Sequence, residues 1–183
     1  GVDRSVILSL GWTTQEMSTI VNSYLLEAAS RYPERLIPFC GVNPLAGEDA
    51  LKEVERCARG GARGIGELHP NLQDYDLADV ELMKPLMDLA KKLDLIVLTH
   101  SSEPAGHSYA GKGDVTPEKL YRFVQAFPDV PVVCAHWGGG LPFYWLMPEV
   151  EGGLKKVFFD SAYSPILYKP QVFEAVVSLV GVE

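Results

Sequence analysis

Two apolar runs in the chain stop abruptly at a histidine: Leu95 to His100 (LIVLTH) and Val130 to His136 (VPVVCAH). Neutral imidazole is the commonest metal ligand and also a general base near neutral pH. Placed at matching ends of consecutive strands, the two rings would point into one mouth, within reach of a shared metal or water. Either one alone has an ordinary alternative, a core histidine bonded to neighbouring backbone. The pair is what points to a site.

Other groups stand at strand ends too. Glu67, in GIGELHP, could ligate a metal, orient a histidine or act as acid and base, since desolvation raises a carboxylate's proton affinity. Its alternative is an ion pair with Arg63. Alternation puts His69 on the same face as Glu67, and beside Pro70 it reads as a loop histidine that meets substrate rather than a ligand. Asp160 ends KKVFFD, where it could fix the tautomer of His136, or merely cap the turn Ser161 to Tyr163. His107 lies on a long loop with Glu103 and Lys112 nearby, suited to a polar substrate or simply to solvent. Trp137, with Phe143, Tyr144, Trp145 and Tyr163, could wall an apolar pocket, and packing explains these aromatics equally well. The run Gly138 to Gly140 lacks the lysine and spacing of a phosphate loop and reads instead as a sharp turn beside His136. No Ser-His-Asp spacing, Cys-x-x-Cys pair or nucleophile elbow is present.

The elements that position these groups follow from pattern. Unalternating apolar strands are those of a parallel sheet buried on both faces. Six are expected: Arg4 to Leu10, Arg35 to Val42, Arg63 to Leu68, the His100 strand, the His136 strand and Lys155 to Asp160. Between them fall helices. Thr13 and Glu16 form a capping box for the first, whose inward face is Met17, Ile20, Val21, Tyr24 and Ala28. The second carries Leu51, Val54 and Ala58 and stops at Gly60 and Gly61. A loop rich in Asn and Asp leads to a third with Met83, Leu86, Met87, Ala90 and Leu93, starting late because Pro85 suits only a first turn. Thr116 and Pro117 open a fourth, and Pro170 starts the last, with Val172, Val176 and Val180 inward. The alternation of strand and helix leaves an open doubly wound sheet or a (β/α) barrel. Ionisable residues at the end of nearly every later strand favour the barrel.

Composition bounds the partners. The 183 residues suit one domain, and 24 acidic against 16 basic side chains, net charge -8, give no basic cluster for nucleic acid. The longest apolar runs are strand-sized, so no membrane span is expected. Cys40, Cys57 and Cys134 read as reduced thiols of a cytoplasmic protein, and no secretory leader follows Gly1.

With Thr99 and His100, AHWGGG from Ala135 to Gly140, GIGELHP from Gly64 to Pro70 and FFDSAYSP from Phe158 to Pro165, the chain resembles the amidohydrolase-related family. That branch of the amidohydrolase superfamily includes metal-dependent hydrolases and non-oxidative decarboxylases. The resemblance implies a distorted TIM-like barrel, incomplete here: residues 1–183 form one truncated domain holding about six parallel strands, two to seven, with strands one and eight cut away. It implies a divalent metal, zinc, with His100 as a ligand, His136 as a ligand or activator of the attacking water, and Glu67 at a position where some relatives place a bridging carboxylate. The His-x-His of strand one and the Asp of strand eight are missing, so the metal site is expected to be incomplete and this segment inactive alone. Open sheet edges would invite a second copy. The expected parent is a metal-dependent hydrolase acting on a small substrate, with His136 and Asp160 catalytic, His100 and Glu67 on the metal, and His69, His107 and Trp137 on the substrate. The alternatives are a decarboxylase on the same metal, a metal-free barrel binding a phosphorylated substrate, or a non-catalytic scaffold.

Overall fold

The computed structural model describes residues 1–182 and shows six parallel strands, each paired with the next in sequence. They are β1 (Ser5–Ile7), β2 (Leu36–Cys40), β3 (Gly64–Leu68), β4 (Ile96–Thr99), β5 (Val132–Cys134) and β6 (Val157–Phe159). Helices α1 (Gln15–Arg31), α2 (Glu48–Arg59), α3 (Pro70–Gln73), α4 (Val80–Lys92) and α5 (Pro117–Ala126) make the connections, with short helical turns and a last helix, Gln171–Val180, after β5. The sheet curls into part of a TIM barrel. β1 and β6 are its edges, each paired on one side only.

Alternation along the strands divides the side chains. Val97, Val132 and Cys134 point to the helices, where they bury against Val54, Cys57, Leu86, Met87, Leu120 and Phe123. Phe39, Leu98 and Ala135 form a smaller cluster on the inner face, joined by Ile37, Ile96 and Val133. Two faces that are both apolar explain why these strands carry no polar alternation. Cys40, Cys57 and Cys134 are buried and free, as expected of small hydrophobes. No helix among the described residues is long and apolar enough to cross a membrane.

Several local expectations are corrected. β1 is exposed rather than buried, because only β2 covers it: Val6 and Leu10 are exposed. The cap of α1 is Thr14, which accepts from the Met17 amide, and Ser18, Asn22, Leu25 and Ala29 form the buried face. Ile20 and Tyr24 are instead 55% and 69% exposed. The reason is polar: the Asn22 amide binds both the Gly41 carbonyl at 2.9 Å and Glu53 at 2.8 Å, and this anchor turns the helix by one residue. Helix α4 begins at Val80, not late, because Asp79 caps it through the Leu82 amide, and Pro85 is accommodated inside. The Asn- and Asp-rich loop opens with the helical turn α3.

Candidate metal centre

His100 follows β4 on the inner-face parity of Ile96 and Leu98, and sequence alternation alone places it there. Glu67 and His136 reach the same place by irregular backbone. In β3, Ile65 pairs with Val97 while Leu68 pairs with Thr99, so three residue steps face two. Ile65 and Leu68 therefore both bury on the helix side, and the extra residue delivers Glu67 to the inner face. In β5, alternation would send His136 to the helices. Instead φ is 55° at His136 and 57° at Trp137, and the left-handed run continues through Gly138, Gly139 and Gly140. Left-handed geometry costs roughly 1–2 kcal/mol per non-glycine residue, and such strain gathers at functional sites.

The result is a buried cluster at the strand ends. One oxygen of Glu67 lies 2.9 Å from His100 Nδ1 and 3.9 Å from His136 Nε2. The His100 and His136 rings meet edge to face at 5.0 Å, and one donor atom from each of the three residues falls within 4.8 Å of the others. Glu67 thus pairs with His100 rather than with Arg63. Burial raises the proton affinity of Glu67, but the His100 hydrogen bond and the surrounding imidazoles outweigh it and hold the carboxyl below its ordinary value.

His69, expected as a loop histidine, follows β3 and is buried. It is 6% exposed and stacks on His100 at 4.0 Å with planes 14° apart. Its backbone amide donates to Gln73 Oε1 at 3.0 Å, which also binds the strand ends through its amide to the Trp12 and Val42 carbonyls. The Nδ1 atom is buried with no partner among the described residues. Burial first, then His100, pushes its pKa down to about 4, so the ring is neutral at neutral pH.

Asp160 takes the capping alternative. Its carboxylate accepts the backbone amides of His136 and Ala162, each at 2.9 Å, and leaves the imidazole to the Ala162 carbonyl, 3.1 Å from Nδ1. It holds the left-handed turn, and through it the ring. Trp137 faces a satellite core with Val172 and Val176, its indole donating to Ser164 Oγ at 2.6 Å, so its ring is committed to packing. His107 is exposed, edge-on to Tyr109, and outside the three-residue cluster. Of the aromatics considered as pocket walls, Tyr163, itself at a left-handed φ of 61°, sets its ring 5.4 Å from His136, edge to face.

These shifts make a pH prediction for the metal-free protein. A histidine whose folded pKa lies below its ordinary 6.5 contributes stability above pH 6.5 that is lost as pH falls toward 4. Glu67, also lowered, contributes above its ordinary 4.5 and loses that contribution as pH falls further. The signs agree. Urea unfolding should show stability falling from pH 7 to pH 4 by on the order of 1–3 kcal/mol from His69, and His69→Gln should flatten the upper part of that fall. An unchanged slope in the variant would remove His69 as its source.

A curled parallel sheet with a carboxylate and imidazoles gathered at its strand ends has the layout of the C-terminal mouth of a (β/α) barrel. The chain belongs to the amidohydrolase family, whose sequence model matches residues 2–183. In three dimensions it is similar to 5-carboxyvanillate decarboxylase from Novosphingobium aromaticivorans, solved with manganese and 4-hydroxy-3-methoxy-5-nitrobenzoic acid: TM-score 0.74, 21% identity, covering 99% of this chain and 64% of that one. It is similar also to 2,6-dihydroxybenzoate decarboxylase from Rhizobium, with TM-score 0.64, 15% identity and coverage of 98% and 70%. A third likeness is to a TIM-barrel protein from Bordetella bronchiseptica, with TM-score 0.65, 16% identity and coverage of 94% and 59%. At such identities the likeness establishes the fold. The chain spans about two thirds of the length of the structures it matches.

Proposed function

We propose that the full-length protein to which these residues belong is a metal-dependent enzyme acting on a small organic substrate, with hydrolysis by an activated water as its reaction, this segment being inactive alone. The observation that carries this reading is the convergence of Glu67, His100 and His136 at the strand ends, donor atoms within 4.8 Å. One carboxylate and two imidazoles fit a catalytic divalent site, which takes three protein ligands and keeps a position open. The same donors accommodate zinc or manganese. When bound, the ion supplies Lewis acidity and lowers the proton affinity of a coordinated water.

The remaining chemistry belongs to the side chains. His136 gives its Nδ1 proton to the Ala162 carbonyl, which only accepts, so Nε2 keeps its lone pair toward Glu67 and can ligate or take a proton. Asp160 fixes the turn from which that ring projects. Neutral His69 offers a hydrogen bond to a substrate oxygen without adding charge beside His100. Tyr163 supplies an aromatic edge over His136.

Decarboxylation is a second reading, favoured by the likeness to two aromatic-acid decarboxylases. One set of assays tests both. The full-length protein, loaded with zinc or manganese, is offered small lactones, amides and hydroxybenzoates, and released acid, amine and carbon dioxide are measured separately. Expected is acid or amine release that a chelator abolishes and added metal restores. Carbon dioxide from a hydroxybenzoate, with no hydrolytic turnover, would replace the first reading by the second. Turnover indifferent to chelation would overturn the metal reading.

A further inference from the structure

His100 is held at both ring nitrogens. Nδ1 faces Glu67 at 2.9 Å, and Nε2 faces the Ser102 hydroxyl at 3.3 Å. A carboxylate only accepts, so Nδ1 carries the ring proton, Nε2 keeps its lone pair, and Ser102 donates to it. Ser102 is fully buried, and its oxygen also accepts the Gly113 amide at 2.9 Å. Its own amide donates to the Val115 carbonyl at 2.8 Å. The far end of the long loop is thus fastened to the same hydroxyl that holds the histidine.

The nitrogen on the Glu67 side is also the one that faces the donor cluster. To coordinate an ion there, Nδ1 must present a lone pair, and the neutral ring then carries its proton on Nε2. The same contact must run the other way, from Nε2–H to the Ser102 oxygen. A backbone carbonyl at that position could only accept and would fix one state; an amide could only donate and would fix the other. A hydroxyl serves both, because its oxygen can accept from Nε2–H and from Gly113 together while its own proton turns aside.

The loop that Ser102 anchors is held at a second point. The next residue, Glu103, accepts the phenol of Tyr109 and the phenol of Tyr168, each at 2.8 Å. Tyr168 lies beyond β6, so the carboxylate fastens the loop across the mouth.

We propose that Ser102 is a positioning residue for the metal centre, a buried two-way hydroxyl through which the state of His100 and the order of residues 103–113 depend on each other. This rests on the metal reading of Glu67, His100 and His136. Coupling of this kind is reciprocal: what metal does for the loop, the loop does for metal.

The test is calorimetric titration with zinc or manganese chloride alone, with hydrogen exchange of residues 103–113 measured before and after. In the wild type, metal should slow exchange in that segment. Ser102→Ala should bind metal 10–100-fold more weakly, the usual cost of losing a group that orients a ligand, and its loop should ignore metal. Tyr168→Phe, which does not touch His100, should speed loop exchange and weaken metal by less than tenfold. Metal bound by the wild type with no change in loop exchange would overturn this proposal and leave the functional reading standing. No metal bound by the wild type would overturn both. Should Ser102→Ala fail to fold, the wild type and Tyr168→Phe decide the matter, the latter overturning the proposal if its loop and affinity are unchanged.

Discussion

His100→Ala is expected to abolish divalent-metal binding, lowering affinity by more than about 100-fold, beyond the usual loss from an orienting group. It removes one of three donors and strands a second, because Glu67 loses its 2.9 Å partner in a mostly buried setting. The Glu67 carboxyl then rises toward a neutral form, since burial is left without the hydrogen bond that opposes it. His69 loses the ring on which it stacks. Calorimetry with zinc or manganese chloride reads the affinity, and a thermal melt separates lost ligation from lost fold. Affinity within threefold of the wild type in a folded variant would remove His100 from the centre. His136→Ala makes an informative partner, because it leaves the Glu67–His100 bond in place.

Gly139→Ala is expected to destabilise the fold by about 2–4 kcal/mol, through strain and overpacking together. The residue sits at φ 60°, and an added Cβ would lie 2.3 Å from the Ser102 carbonyl oxygen, a backbone atom that cannot swing away. Gly140→Ala is the control. Its φ of 104° is also left-handed, but nothing lies within 4 Å of the added carbon, so it should pay about 1 kcal/mol for backbone conformation alone. Urea unfolding of the pair measures the difference. Equal losses would show that the close approach of the two loops carries no energetic weight.

How much of this was legible in the sequence depends on whether the backbone keeps its period. His100 obeys the alternation of β4, and its place could be read from LIVLTH directly. Glu67 and His136 could be suspected from residue type and position, but the extra residue in β3 and the left-handed turn after β5 are what deliver them. Gly64 and Gly66 ahead of Glu67, and Gly138 to Gly140 behind His136, were the visible traces. The parallel strands and the buried thiols followed from apolar runs and their spacing, and the barrel from the ionisable groups at the strand ends. The face of α1 did not, because the most apolar stripe, Met17, Ile20, Val21, Tyr24 and Ala28, lies one residue away from the face that the buried Asn22–Glu53 bond selects. Asp160 and Trp137 were read as site groups by type alone, whereas their partners lie in the chain segments 136–137 and 160–164, a pairing that no local pattern announces.

The strand order has a bearing on how the centre comes into being. Every pair in the sheet joins a strand to its successor, so no strand waits for a distant partner and each closure spans one helical connection. A nascent chain emerging from its N-terminus can add staves in the order in which they are made. Glu67 and His100 then meet when β4 docks, His136 arrives with β5, and the Asp160 and Ala162 contacts that aim it follow immediately behind β6. The donor set is therefore assembled by one uninterrupted stretch of polypeptide, and an ion captured there would act as a fastener on a growing sheet before its last helix exists.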